Sequence, residues 1–218
     1  MTKDWTYEEL LETIKSNRQV ECAFSKAVQI INTSVDPSIQ ELTFRLGDGW
    51  KARPEAFHIA ELMKEQMGSG PFMFRLLRRL KHTNSSTLKE LLAKELGILT
   101  CLPVNISRVH GRKIKHGGYY EMILSTIRFE NNSIAQIEVA IGEDLTEVYE
   151  VEAADKEGVV FYRNERLSTF EFESKKKPVY DAFDEFPKSY SYLELKKALD
   201  TVKSVDASIL THQTEVIG

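Results

Sequence analysis

Tyr119-Tyr-Glu-Met-Ile-Leu-Ser-Thr-Ile-Arg-Phe129, a polar Glu130-Asn131-Asn132, and Ser133-Ile-Ala-Gln-Ile-Glu-Val-Ala-Ile141 follow one another without a break. Two apolar runs of strand length around a short Asn-rich turn predict an antiparallel hairpin. In the second run Ala135, Ile137, Val139 and Ile141 share one face, and Gln136 and Glu138 the other, a pattern for a half-covered sheet. In the first run Glu121 has the parity of Ile123 and Ile127, opposite to Tyr120, Met122 and Leu124. A carboxylate on an apolar face is costly unless paired, so Glu121 is expected at a wet strand end or in a polar cavity.

Working outward from the hairpin, Val104–Val109 and Thr146–Val151 read as further strands, with another within Val159–Phe172, all joined by short links that favour antiparallel pairing. Thr87–Leu96 has a helical period with a cap at Ser86 or Thr87 and a stop at Gly97. Phe72–Leu80 is also read as a helix, as is about Tyr192–Val202, and Ser208–Ile217 as a terminal strand. The segment from Trp5 to Val35 reads as helical, opened by a capping box of Thr6 and Glu9 and closed by Asp36-Pro37. A strand over Glu41–Leu46 ends at the turn Gly47-Asp48-Gly49, and a helix is expected after Pro54. Gly68-Ser69-Gly70-Pro71 is the best boundary. The expected class is α+β: a mainly antiparallel sheet of five or six strands with helices on one face, spanning 71–218, and an N-terminal helical part with one short strand over 1–70.

Composition bounds function only loosely. A chain of 218 residues with 42% hydrophobic and 28% charged residues can bury a core, which excludes disordered and fibrous classes. No stretch has the length and apolarity of a membrane span, and the first ten residues have no secretory apolar region, so a cytoplasmic address is expected. Cys22 and Cys101 fit reduced thiols, and Cys101 sits in an apolar run as a core residue. The net charge of −4 disfavours a nucleic-acid-coated surface, yet ten Lys/Arg lie between Arg75 and His116 and an acidic block follows. Mutual neutralisation of the two blocks is the simpler reading, and a basic face aimed at an anion the sharper one.

Motif searches exclude several chemistries. The five histidines show no metal-ligand spacing, and neither a Walker A loop nor a Gly-x-Gly-x-x-Gly occurs. Thr87–Ile98 echoes the first helix and turn of a helix-turn-helix, but Pro103 would fall inside the second helix at a cost of about 3 kcal/mol.

The order of three stretches resembles the chorismate lyase family and its ligand-binding relatives, the UTRA effector domains. They are Asn84–Lys89, opening a helix; the pair Met122–Leu124 and Ile134–Val139; and Gly158–Tyr162 followed by Leu167-Ser168-Thr169. The resemblance covers about residue 71 onward and implies a cofactor-independent lyase, or a binding protein, for a small anionic, aromatic metabolite. Glu121 stands where that family has a carboxylate-binding arginine, so either Arg128, Arg108 or another basic residue takes over that role, or the substrate differs, or catalysis is lost. Glu121 and Glu215 are then the acid–base candidates, with Ser86, Arg108, Arg128 and Glu138 toward the substrate. No metal or other cofactor is implied, and a homo-oligomer is compatible. The alternative is a regulatory protein whose basic block binds nucleic acid or a protein partner.

Overall fold

A computed structural model describes residues 6–217 other than 17–18, 34–35, 54–55, 57–58, 62, 65–69, 82–86, 101, 103, 118–119, 157, 164–170 and 173–188. The chain opens with helix α1 (Tyr7–Lys15), held by the expected capping box: Glu9 N–H donates to Thr6 Oγ1 and Thr6 N–H to Glu9 Oε2. The helical period does not continue to Val35. Strand β1 (Val20–Cys22) interrupts it before helix α2 (Phe24–Thr33), because its backbone pairs in parallel with β2 (Thr43–Leu46). A three-residue strand is too short to leave a period of its own. β1, α2 and β2 form a βαβ unit, and β10 (Ser189–Ser191) adds antiparallel to β2.

The second sheet has eight strands in the order β11-β4-β5-β6-β3-β7-β8-β9. These are β3 (Met73–Lys81), β4 (Ile106–His116), β5 (Tyr120–Phe129), β6 (Ile134–Gly142), β7 (Val148–Asp155), β8 (Gly158–Arg163), β9 (Glu171–Phe172) and β11 (Glu215–Val216). The β5–β6 hairpin forms as read, with Asn132 at a φ of 66° in its turn. Helices α3 (Leu88–Thr100) and α4 (Tyr192–Thr211) pack on one face of this sheet and on each other. The class is α+β, a mixed and mainly antiparallel sheet flanked by helices with a helical N-terminal segment. The sheet is wider than the five or six strands expected.

Phe72–Leu80 is the main correction: it is strand, not helix. β3 lies at the sheet centre, parallel to β6 and antiparallel to β7. Phe74 and Leu76 are fully buried on one face, and Leu77 is buried on the other as the alternation slips into Arg78-Arg79. Apolar residues on both faces of a central strand imitate a helical spacing. Gly97 also fails as a helix stop, since α3 runs through it to Thr100. The terminal strand shrinks to Glu215–Val216 because α4 continues to Thr211, ending at His212 in the left-handed region. Ile106–Val109, where the second helix of a helix-turn-helix would end, is instead the start of β4. One apolar core joins residues from Leu10 to Val205, including β1, β2, α3, α4 and the large sheet.

Candidate functional site at the carboxyl ends of β1 and β2

In parallel βα arrangements ligands gather beyond the carboxyl ends of the strands. There, β1 leads through Ala23 into α2, while β2 leads into Gly47-Asp48-Gly49-Trp50. Asp48 Oδ1 accepts from Phe24 N–H at 3.0 Å, so it caps α2 from another segment. Asp48 Oδ2 lies 2.8 Å from Lys94 Nζ, which is also 3.1 Å from Glu90 Oε1 and 5.6 Å from the Phe24 ring centroid. Burial alone would pull the Lys94 pKa down. The hydrogen bond and charge of Asp48, with Glu90, outweigh it and raise the pKa, so Lys94 is a fixed cation. Burial, reinforced by the Asp48 charge, pushes the Cys22 thiol up to about 11, which makes it a poor nucleophile.

Two glycines make the floor. A Cβ on Gly49 would fall 2.2 Å from Tyr190 Oη, and one on Gly97 would fall 2.7 Å from Trp50 Cδ1. Trp50 therefore lies on the helix backbone of α3, edge-on to Tyr190 at 6.2 Å. Lys51 N–H donates to Tyr190 Oη at 2.6 Å, and Lys51 Nζ reaches Ser189 O and Glu194 Oε1, both at 2.8 Å. Glu90, Lys94 and Gly97, spaced i, i+4 and i+7, put one face of α3 against this corner. Behind it, Arg53 makes a two-pronged contact with the buried Glu95 carboxylate, at 2.8 and 2.5 Å, and stacks over Tyr149 at 4.4 Å.

The residues singled out from sequence are not gathered here. Glu121 sits at a strand end between Lys113 and Lys115, each 2.8 Å away, and the hydrogen bonds from Lys113 and Lys115 hold its pKa down at about 2. Arg108 faces Arg128 across β4–β5, and Glu215 pairs with Val109 next to it. Arg108 and Lys115 are seven residues apart on β4, about 23 Å at 3.3 Å per residue, so Glu121 is remote from Glu215. Glu138 contacts Arg79 at 3.1 Å on the face of the sheet away from the helices. Ser86 and Cys101 lie outside the described residues.

Five of the ten cations of the basic block pair with carboxylates: Lys89 with Asp206, Lys94 with Asp48 and Glu90, Lys113 and Lys115 with Glu121, and Arg79 with Glu138. Lys113, Lys115 and Arg79 find their partners in the acidic block that follows, whereas Lys89 and Lys94 are paired from elsewhere, so the expected neutralisation of one block by the other holds in part. A separate groove of about 600 Å³ runs along α4, lined by Ile106, Leu193, Lys196 and Asp200 among others; there Lys196 and Asp200 pair at 2.5 Å. Among the described residues no group of His, Cys, Asp and Glu could hold a metal ion, and no helix is long and apolar enough to cross a membrane.

Sequence reasoning passed over Asp48, Lys94, Arg53 and Glu95. The signals were present: a Gly-Asp-Gly-Trp corner read only as a turn, and one carboxylate, Glu95, set in the apolar stripe Leu91, Leu92, Leu96, Leu99.

No protein-family model matches this sequence, and no curated protein matches it. Solved structures do match. A myo-inositol dehydrogenase from Corynebacterium glutamicum superposes with a TM-score of 0.65 at 12% identity, over 97% of this chain and 76% of that one. Levoglucosan dehydrogenase, in complex with NADH and L-sorbose, gives 0.64 at 9% identity over 100% and 78%. A myo-inositol dehydrogenase from Lactobacillus casei, in complex with NAD(H) and myo-inositol, gives 0.64 at 11% over 97% and 74%. These likenesses take in the first 70 residues, for which the chorismate lyase resemblance had no counterpart, and they correct it. The expectations built on that resemblance, a cofactor-independent lyase or binding protein for an aromatic anion, fall with it, and the alternative drawn from the basic block, a regulatory protein for nucleic acid or a protein partner, is corrected likewise: this chain has the fold of these oxidoreductases.

Proposed function

We propose that this chain handles the substrate in NAD(H)-linked oxidoreduction of a polyhydroxylated small molecule. The carrying observation is the superposition of 97–100% of the chain on dehydrogenases whose names specify myo-inositol and levoglucosan. The corner beyond β1 and β2 suits such a ligand. Lys94 is a fixed donor, and Asp48, with its side chain 43% exposed, accepts from hydroxyls, so a vicinal diol finds both partners within one side-chain length.

The same corner does not fit the dinucleotide. A pyrophosphate needs free backbone N–H groups and no competing anion at a helix start. Here the first N–H of α2 is taken by the Asp48 carboxylate, and the turn before it, Cys22-Ala23-Phe24, has no glycine for close backbone approach.

The test is calorimetric titration of the full chain with myo-inositol, levoglucosan and L-sorbose, and absorbance at 340 nm with each plus NAD+ or NADH. Saturable binding of a polyol that Lys94→Met weakens at least tenfold supports the reading. No binding by any of them, with no change at 340 nm, overturns it.

A further inference from the structure

Arg78 is a cation on the covered face of the large sheet that no described acid answers. On β3 it continues the alternation of Phe74 and Leu76, both fully buried, and it stands in register with the buried Val139 of β6 and Tyr149 of β7. An arginine in such a row is costly unless its donors are met. Yet the Nε of this half-buried side chain is shut from water and faces no acceptor, and no carboxylate among the described residues pairs with its guanidinium. Its one contact is the Tyr149 ring, 5.5 Å away, and a ring leaves the in-plane N–H donors of a guanidinium unused.

We infer that Arg78 binds the carboxylate of a polyhydroxylated acid, the anionic end of a ligand whose hydroxyls meet the Asp48–Lys94 corner. This rests on the polyol reading for the hydroxyls and on Arg78 for the acid. The charges around Tyr149 set the class. Arg53 stands over the same ring at 4.4 Å, and both of its contacts at 2.8 and 2.5 Å go to Glu95, so two guanidiniums share one carboxylate and one positive charge is left over. Glu138 and Glu150, both in register with Leu77, lie on the opposite face and are taken by Arg79 and Arg163. A single carboxylate neutralises the excess and matches the guanidinium fork as Glu95 does for Arg53. A phosphate monoester, at about −1.5 to −2, would overcharge a site that already holds Glu95. The cluster adjoins the corner: Glu95 follows Lys94 on α3, and Arg53 comes three residues after Trp50.

The experiment compares the full natural chain with Arg78→Met and Arg53→Met, first by thermal unfolding without ligand and then by calorimetric titration with gluconate, myo-inositol, glucose 6-phosphate and glutarate. An unanswered cation kept for a ligand costs the empty protein stability, so Arg78→Met should melt no lower than the natural chain, whereas Arg53→Met strands Glu95 and should melt lower. Gluconate should bind at least tenfold more tightly than myo-inositol, and Arg78→Met should erase that difference. A melting point lowered by Arg78→Met as far as by Arg53→Met makes Arg78 a structural cation and overturns the inference. So does gluconate bound no better than myo-inositol, gluconate bound equally by Arg78→Met, or glucose 6-phosphate bound as tightly as gluconate. If glutarate, which has no hydroxyl, equals gluconate in an Arg78-dependent way while myo-inositol fails to bind, the polyol reading is lost and Arg78 keeps its carboxylate.

Discussion

Glu95→Ala should be among the most damaging single changes in the molecule. The Glu95 side chain is 2% exposed and that of Arg53 21%, and their two contacts at 2.8 and 2.5 Å join the N-terminal layer to α3. Removing one partner of a desolvated, two-pronged pair strands the other charge, at a cost of about 3–5 kcal/mol. The partial exposure of Arg53 lets water reach part of the guanidinium and places the loss toward the lower figure. At roughly 2–4 °C per kcal/mol for a chain of this size, the melting point should fall by roughly 6–20 °C. Urea unfolding followed by circular dichroism gives the free energy directly, with an unchanged slope showing that the unfolded state is the same. The double change Arg53→Met with Glu95→Leu separates charge from packing, because replacing both partners by apolar groups removes the stranded charge. It should recover most of the loss. If Glu95→Ala costs under about 1 kcal/mol, the pair is solvated and the reasoning fails. If the double variant is as unstable as the single one, packing rather than ion pairing joins the two layers.

Two further outcomes are expected. Gly97→Leu should cost about 1–3 kcal/mol by overpacking against Trp50, although leucine is the better helix former by about 1 kcal/mol; in a Trp5→Phe background the emission should shift red as the ring leaves its place, and a stabilised variant with unchanged emission would show that Trp50 is not seated there. The Glu121 carboxyl, held down at about 2 against 4.5 unperturbed, favours the folded state above pH about 4.5, and that contribution is lost as pH falls toward 2. The stability gap between the natural protein and Glu121→Gln should close over that interval, and a gap that persists at pH 2 would mean the difference is not electrostatic.

Legibility followed the range of the interactions. The β5–β6 hairpin was readable because its partners are separated only by Glu130–Ser133, and α1 because its cap is local. β3 was not, since a strand flanked by β6 and β7 owes its state to neighbours far along the chain. β1 was lost for the same reason, its partner β2 lying beyond a whole helix. The chemistry was harder still. Glu121 stands out as a lone carboxylate on an apolar face, and of the two places expected for it, a wet strand end or a polar cavity, it takes the strand end, where two lysines on β4 pair with it. Asp48 looked like turn punctuation because nothing local reveals that its oxygens serve Phe24 and Lys94.

The corner after β2 is shaped by the far end of the chain. Tyr190, on β10, fills the space that Gly49 leaves, accepts from Lys51 N–H, and braces Trp50 against Gly97. The next residue, Ser191, caps α4, and Glu194 completes that capping box while holding Lys51. A segment beginning at Ser189 thus fixes the corner after β2 and starts the helix that covers the large sheet. Such a contact, some 139 residues apart in sequence, is costly to close and rewards the chain only once both layers are in place. The geometry around Asp48 and Lys94 is therefore a property of the whole assembled fold and not of the βαβ unit alone, which is why the Gly47–Trp50 corner can carry an acid at a helix start without help from its own neighbours.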